Sequence, residues 1–331
     1  MVSDSEREAR PKPVAGRDYP GTWPEFERRF GDDDACAAYL ERLRWPQGFV
    51  CPACGCGEAW RTAGGLWMCR RCGRKTSVTA GTIFHRSRLP LRTWFAAMWF
   101  VCAQKNGVSA LGLQRVLGFG SYQTAWAWMH KLRRAMVRPD RDPLGGPGVS
   151  VEMDCTFIGG RKQGKLSARY ANKDEVVIAV ELRHPLGRGR ARLARIDSRQ
   201  RKAEIFDFAK TNIAPGTILY TDGDTLYNDL PRQLDIIHER LVLISAKEPA
   251  HRLLPAVHRV ASLLKRWLAG TLHNGHATAH LDYYLDEFTF RFNRRSSTRR
   301  GMLWYRLVQQ ALATGPHPYR ELTAAGLDHN I

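Results

Sequence analysis

Two aspartates in this 331-residue sequence each close an apolar, β-branched run. Asp222 follows Thr217 to Tyr220, and Asp154 closes an earlier run ahead of the Gly159-Gly160 turn signal. The pattern predicts both carboxylates at the ends of buried strands. Mg²⁺ prefers oxygen ligands, and a rigid sheet can hold two carboxylates in place. The pair therefore indicates a divalent-metal site for phosphoryl transfer, the alternative being two separate turn or cap residues.

Four cysteines have the spacing of a second kind of metal site, a zinc ribbon. They form two C-x-x-C pairs, Cys51 with Cys54 and Cys69 with Cys72. A β-like stretch from Ala59 to Met68 separates the pairs, and four thiolates arranged in this way converge on one structural Zn²⁺ ion. Cys56 is interpreted as a spare thiol, because the two pairs are complete without it.

The charge balance indicates a polyanionic partner. Lys and Arg number 51 against 32 Asp and Glu, which gives a net charge of +19. Nucleic acid is the first candidate for such a partner, and a basic surface that is merely solvated is the alternative. No stretch is apolar over a membrane-spanning length, and the N-terminus lacks the apolar centre of a signal peptide. We therefore expect a cytoplasmic protein whose cysteines are metal ligands or reduced thiols.

The first 140 residues outside the ribbon are predicted to be largely helical. Between Thr22 and Pro46 the sequence predicts two short helices, the second capped by Asp33 or Asp34. Leu91 to Val108 predicts an apolar helix. Beyond it, a helix capped by Ser109, a glycine-bearing turn and a helix from Tyr122 to Met136 follow. The last helix ends in basic residues, which is typical of a DNA-binding helix-turn-helix, although a structural helical hairpin fits the same pattern.

After a Pro/Gly-rich linker, the sequence pattern changes from helical to mixed α/β. Strands are predicted at Val149 to Phe157, Glu175 to Leu182, Arg192 to Ile196 and Ile237 to Ile244, besides the strand that Asp222 closes. A helix from Lys202 to Lys210 and long later helices complete a pattern that fits an α/β ribonuclease-H-like domain. We predict these segments: a disordered lead 1–18, N-terminal helices and zinc ribbon 19–85, a helix-turn-helix-like region 86–140, a linker 141–150, a catalytic domain 151–313 and a tail 314–331.

Several segments together resemble the DDE-type bacterial transposases of the insertion-sequence 1595 family, the zinc-ribbon-bearing group. The resemblance extends from Tyr19 to Ala313 and rests on RWPQGFVCPACG, the second cysteine pair, VEMDCTFIGGR, YTDG, LPAVHRVASLLKRWLAGT and HLDYYLDEFTFRFNRR. It implies a ribonuclease-H-like core that cuts DNA at terminal inverted repeats and joins the ends to target DNA. It also implies catalytic Mg²⁺ or Mn²⁺ and a homo-oligomer that holds two double-stranded DNA ends.

The resemblance also implies a third acidic or polar residue on a late helix, seven positions before a lysine. Lys265 fits the lysine position, and counting back gives His258, so the expected set is Asp154, Asp222 and His258. A histidine nitrogen is a softer ligand than a carboxylate oxygen, and it favours Mn²⁺ over Mg²⁺. Glu248 and Glu287 are the competing third residues, although Glu287 has the helical spacing of an ion pair with Arg291 or Arg294.

Basic residues of the last helices are expected to grip DNA phosphates near the cleavage site. They are Lys265, Arg266, Arg294 and Arg295. Two other functions fit part of the sequence: a zinc-ribbon and helix-turn-helix regulator, or a decayed transposase that binds DNA without cutting it. The regulator gives Asp154 and Asp222 no joint role.

Overall fold

The computed structural model describes residues 12–138, 141–159, 173–183, 187–241, 253–272 and 280–323. These residues form two compact units. The first comprises the described residues up to Met136 and those from Ser297 onward, and the second lies between them in the chain. No helix among the described residues is long and apolar enough to cross a membrane.

Both units contain helices within the described ranges. They are α1 (Trp23–Arg29), α2 (Asp33–Arg44), α3 (Leu91–Ala103), α4 (Ala110–Leu117), α5 (Tyr122–Ala135), α6 (Arg201–Asn212), α7 (Leu230–Gln233), α8 (Pro255–Leu272), α9 (Leu281–Phe292), α10 (Arg300–Ala313) and α11 (Tyr319–Thr323).

The strands form three sheets. They are β1 (Ala59–Arg61), β2 (Trp67–Cys69), β3 (Lys75–Thr76), β4 (Leu144–Gly145), β5 (Ser150–Ile158), β6 (Asp174–Arg183), β7 (Gly187–Ile196), β8 (Ile213–Ala214), β9 (Thr217–Asp222) and β10 (Ile236–Leu241). The strands β1 to β3 make a small antiparallel sheet in the first unit. In the second unit, β4 pairs with β8, and the other five strands make the main sheet.

The core of the first unit is aromatic and includes α10. The indole Nε1 of Trp304 donates to the Phe95 carbonyl at 3.1 Å, and both side chains are buried. Gly301 allows this close packing, since a Cβ there would lie only 1.8 Å from the Pro20 carbonyl oxygen. The helix that we expected to end the catalytic domain at residue 313 therefore packs in the first unit, and the second unit ends at Ser296.

Capping explains the ends of the N-terminal helices. Asp32, rather than the predicted Asp33 or Asp34, caps α2 by accepting from the Ala35 amide at 2.8 Å. The Asp33 carboxylate instead accepts from the amides of Leu91 and Arg92 at 3.0 and 2.9 Å, at the start of α3. The predicted cap was wrong because Asp33 satisfies the open amides of a different helix.

The predicted helical pair is present as α4 and α5. Ser109 caps α4, Gly118 ends it with φ of 68°, and Ser121 caps α5. The rings of Trp94 and Trp128 stack at 3.6 Å, so α5 packs against α3. Arg133, expected at a basic helix end, is buried in this packing. DNA binding by the pair stays a prediction.

The main sheet of the second unit is mixed. Its strand order is β10-β9-β5-β6-β7. The pairs β5 with β6 and β6 with β7 are antiparallel, whereas β9 runs parallel to both β5 and β10. Each strand predicted in this region is present, and residues 242–244 of the last predicted strand lie outside the described residues.

Successive strand residues point to opposite faces of the sheet, and each face has its own core. On one face Ile158, Val176 and Ile178 pack with residues of α8 and α9. On the other, Val151, Met153 and Leu219 pack with residues of α6. Even-numbered residues of β5 therefore face α8 and α9. On β9 the odd-numbered Leu219 faces α6, so the even-numbered Asp222 lies on the same side of the sheet as α8.

Candidate active site and zinc-ribbon site

The four cysteines of the two C-x-x-C pairs converge at one end of the small sheet. Their sulfur atoms all lie within 4.8 Å of one another. The Sγ atoms of Cys51 and Cys72 are 3.7 Å apart, and those of Cys54 and Cys69 are 3.6 Å apart. Zn–S bonds of ~2.3 Å in a tetrahedron place sulfur atoms about 3.8 Å apart. The geometry of the four thiols therefore fits a tetrahedral zinc site.

Two matching turns hold these thiols in place. The amide of Gly55 donates to the Cys51 carbonyl at 2.9 Å, and that of Gly73 donates to the Cys69 carbonyl at 3.0 Å. Both glycines have positive φ, 72° and 66°, which side-chain-bearing residues rarely adopt. The backbone amide of Cys72 is the main cause that lowers the pKa of Cys69 to about 6, which favours the thiolate that binds metal. Cys56 is outside the four-thiol group, in agreement with its interpretation as a spare thiol.

Asp154 and Asp222 lie side by side on neighbouring strands. The parallel pairing of β5 with β9 sets Val151 opposite Leu219 and Glu152 opposite Tyr220. The same register, continued by two residues, sets Asp154 beside Asp222 on the face toward α8. Asp222 ends β9 as predicted. Asp154 does not end its strand, since β5 continues to Ile158 through antiparallel pairing with β6.

The electrostatics of this pair favour a cation. Burial raises the pKa of Asp154 to about 6, and the nearby negative charge of Asp222 adds to that rise. The backbone amide of Cys155, which donates to Asp154 Oδ1 at 2.7 Å, opposes it. Two neighbouring carboxylates of which one is raised in pKa form a site that a divalent cation can neutralise.

A hydrogen-bonded chain braces the loop after β9. The amide of Asp224 donates to Asp222 Oδ1 at 3.2 Å. The Asp224 side chain in turn accepts from Arg201 Nη1 at 3.0 Å, and Arg201 Nε donates to the buried Glu175 at 2.7 Å. Arg201 begins α6 on the opposite face from α8. This chain of hydrogen bonds holds the Asp222 carboxylate in place. No residue spacing in the sequence predicts the chain.

His258 and Lys265 both lie on α8, seven residues apart and therefore two helical turns apart. His258 is half-buried in the first turn, and Lys265 is exposed. The amides of Ala256 and Val257 donate to one oxygen of Glu152, at 2.7 and 2.9 Å. Glu152 lies two residues before Asp154 on the same face of β5. The first turn of α8 is thus attached to the strand that carries Asp154.

The competing third residue Glu287 is fully buried on α9 and paired within its own helix. Its Oε1 accepts from Arg291 Nε at 2.9 Å. The predicted ion pair with Arg291 is confirmed. The other competitor, Glu248, lies outside the described residues.

The predicted phosphate-binding residues differ in their surroundings. Lys265 and Arg266 are exposed on α8. The Arg294 guanidinium lies 4.1 Å from the Phe290 ring centre and donates to the Phe290 carbonyl. Arg295 donates to the carbonyls of Gly189 and Phe292, at 3.2 and 2.8 Å, and to that of Arg188. Arg294 and Arg295 therefore have partners within the second unit, which the basic spacing alone did not indicate.

Comparisons with known proteins match both the cysteine ribbon and the unit that carries Asp154 and Asp222. Residues 143–293 match the family model described as the ISXO2-like transposase domain, and residues 31–75 match the transposase zinc-ribbon domain. The two matches together identify a zinc-ribbon domain and a transposase domain. The chain belongs to the insertion-sequence 1595 family of transposases.

One curated relative and one solved structure are similar to parts of the chain. An uncharacterized protein in transposable element ISH50 of Halobacterium salinarum is 26% identical over 142 residues, which cover 42% of this chain and 46% of the relative. The chain thus matches about half the length of that relative. A chain of the simian T-cell lymphotropic virus intasome, in complex with PP2A regulatory subunit B56 gamma, is 14% identical. That match covers 59% of this chain and 65% of the matched chain, with a TM-score of 0.28.

Proposed function

We propose that the chain is a DDE-type transposase that cuts DNA at the terminal inverted repeats of its own element and joins the ends to target DNA. The observation that carries this proposal is the pairing of Asp154 and Asp222 on one face of adjacent parallel strands. Membership of a transposase family supports it. The basic composition, with a net charge of +19, supports double-stranded DNA as the partner.

A ribonuclease-H-like fold for the second unit is part of the proposal. Three antiparallel strands, extended by two parallel strands on the β5 side, support it. Helices cover both faces, with α6 on one and α8 and α9 on the other. This arrangement gives the two carboxylates a rigid support.

The roles of the residues follow from their chemistry. Asp154 and Asp222 would hold Mg²⁺ or Mn²⁺ through hard carboxylate oxygens. Two divalent cations bound there would supply the chemistry, one by activating the oxygen that attacks the phosphodiester and the other by stabilising the leaving oxygen. His258, in the first turn of the helix attached to β5, would supply the third ligand or a base. Lys265, two turns further along α8, would contact phosphate.

The zinc ribbon would have a structural role. The four thiols fit one Zn²⁺ ion, and the buried residues around them are few, namely Phe49 besides Cys51 and Cys69. So small a core needs the binding energy of a metal to stay folded.

Strand cleavage and joining by the purified protein tests the proposal. The substrate is the terminal DNA that flanks its own gene, incubated with Mg²⁺ or with Mn²⁺. We expect metal-dependent cleavage that is lost in Asp222→Asn and in His258→Ala. Cleavage that survives His258→Ala alone would move the third role to Glu287 or Glu248. Tight DNA binding without cleavage in either metal would identify a binding-only protein instead.

A further inference from the structure

The buried carboxylate of Glu152 has a position that the proposed roles leave unexplained. It lies on β5, two residues before Asp154, and only 3% of its surface is exposed. Burying a carboxylate in the interior costs free energy unless strong hydrogen bonds compensate. An apolar side chain would pack on this sheet face at lower cost, as Val176 and Ile178 do on the neighbouring strand. The position of this charge therefore calls for a specific contact.

That contact is with the first turn of α8. One oxygen of Glu152 accepts from two consecutive amides, those of Ala256 at 2.7 Å and Val257 at 2.9 Å. The first amides of a helix have no partners within the helix, and a negative charge there is favoured by the helix dipole. Glu152 thus acts as a cap supplied by a strand 104 residues earlier in the chain.

The contact ends one residue before His258. Strand residues rise by ~3.3 Å each, so Glu152 attaches α8 to β5 at a point about 7 Å along the strand from Asp154. A helix attached at this point can neither slide along the strand nor rotate about its axis without breaking a buried charge-assisted hydrogen bond. Glu152 therefore fixes the distance between the strand that carries Asp154 and the turn that carries His258.

We propose that Glu152 is a positioning residue: it fixes the turn of α8 that carries His258 to the strand that carries Asp154, and so holds His258 on the sheet face of the two aspartates. This inference rests on the proposed function, because it assumes that His258 belongs to the site. Glu152 itself makes its contacts through the protein backbone and is not assigned as a ligand. Removal of residues that orient metal ligands typically weakens metal binding or activity about 10- to 100-fold.

The test compares Glu152→Ala and Glu152→Gln with a matched control, Glu181→Ala. Glu181 is also a buried strand carboxylate that accepts from two backbone amides, those of Gly145 and Arg190, both at 3.1 Å. It lies on the neighbouring strand β6, and its parity places it on the sheet face opposite α8. Glu181 also pairs with the Arg190 guanidinium, so Glu181→Ala reports what loss of a buried, partnered carboxylate away from α8 does to stability.

Three quantities are measured for the full-length zinc-loaded protein. They are Mn²⁺ affinity by calorimetry, amide hydrogen exchange at residues 254–260, and the Mn²⁺ concentration that gives half-maximal cleavage. For Glu152→Ala we expect faster exchange at the start of α8, and Mn²⁺ affinity and metal requirement both weakened about 10- to 100-fold. Glu152→Gln keeps an amide-accepting oxygen, so it should fall between wild type and Glu152→Ala. Glu181→Ala should keep the wild-type Mn²⁺ affinity.

The outcomes separate the positioning role from the proposed function. Equal loss of Mn²⁺ affinity in Glu152→Ala and Glu181→Ala would overturn the positioning role, since general destabilisation would then explain both. Faster exchange with unchanged Mn²⁺ affinity would overturn it as well. If the wild type bound Mn²⁺ and cut no DNA, the proposed function would fail. The Mn²⁺ affinities and the amide hydrogen exchange of the variants would still test the positioning role of Glu152.

Discussion

Asp154 and Asp222 lie level with each other on adjacent parallel strands, although only Asp222 ends its strand. The strand β9 stops at Asp222, while β5 continues through Asp154 to Ile158. Beyond Asp154, the edge of β5 that faces β9 has no further β9 residue to pair with, because β9 ends at Asp222. Burial raises the pKa of Asp154 to about 6, and the neighbouring carboxylate of Asp222 adds to that rise.

The raised pKa predicts a pH-dependent stability effect of Asp154→Asn. The pKa of Asp154 rises from 3.8 to about 6 on folding, so its contribution to stability is complete below pH 3.8 and is lost as pH rises through 6. Asparagine cannot ionise, so the variant should gain stability relative to wild type at pH 8. We expect this gain to be about 1 kcal/mol larger at pH 8 than at pH 5. Urea unfolding without added divalent cations measures it.

Asp197→Asn is the control for that experiment. Arg199 lowers the pKa of Asp197 to about 2, through a hydrogen bond to its side chain. The pKa of Asp197 shifts downward on folding, in the direction opposite to that of Asp154. The Asp197 carboxylate therefore stabilises the fold above pH 3.8, and this contribution is lost as pH falls through 2. Substitution of Asp197 should therefore bring no gain at pH 8. An equal effect of Asp154→Asn at both pH values would contradict the raised pKa.

Local patterns in the sequence predicted the strands and the α8 helix because the responsible forces are local. Runs such as VVIAV are buried on both faces, and alternation or β-branching marks them without knowledge of the partner strand. The same pattern placed Asp154 at a strand end, since an acid and a cysteine interrupt the apolar run. The strand continues because β6 pairs with it along its whole length. Pairing of this kind depends on a distant segment.

Contacts between distant segments could not be predicted. Glu152 is satisfied by amides 104 residues later, and Trp304 donates to a carbonyl 209 residues earlier. Neither contact leaves a mark in the spacing of nearby residues. The cysteine ribbon was predictable because its ligands form two short pairs whose turns fix most of the geometry. Arg295 was predicted to face DNA because its charge is visible in the sequence, whereas its carbonyl partners are not.

Loss of one ribbon thiol should release the metal and unfold only the ribbon. In Cys54→Ser the sulfur 3.6 Å from Cys69 Sγ is replaced by a poor zinc ligand. We expect zinc content to fall from about one ion per chain to near zero. The circular dichroism of the α/β unit should stay unchanged. Cys56→Ser is the control, since Cys56 is outside the four-thiol group, and zinc loss in that variant would contradict the ligand assignment.

Lys265 and Arg266 should contribute to DNA affinity without contributing to stability. Both are exposed on α8. Changing either to Gln should leave the unfolding midpoint unchanged. It should also reduce the slope of log affinity against log salt by about 0.9 for each phosphate that the protein no longer neutralises. Fluorescence anisotropy with a labelled terminal DNA duplex, at several salt concentrations, measures the slope.

Arg295→Ala, in contrast, should reduce stability and leave the salt dependence of DNA affinity unchanged. Its guanidinium donates to three backbone carbonyls and lies 3.9 Å from the Phe292 ring centre. Removal of these interactions should reduce the free energy of unfolding by about 1–3 kcal/mol. A stable Arg295→Ala protein with a reduced salt slope would instead place this side chain on DNA, as the sequence predicted.

The buried ion pair of Glu287 with Arg291 distinguishes a structural acid from a catalytic one. Their side chains are 1% and 13% exposed, and Nε lies 2.9 Å from Oε1. Glu287→Gln removes one charge and leaves the other buried, which should cost about 3–5 kcal/mol of stability. The folded fraction should keep the wild-type metal requirement for cleavage, whereas His258→Ala should lose cleavage and keep stability. Cleavage abolished in a fully stable Glu287→Gln protein would assign the third role to Glu287.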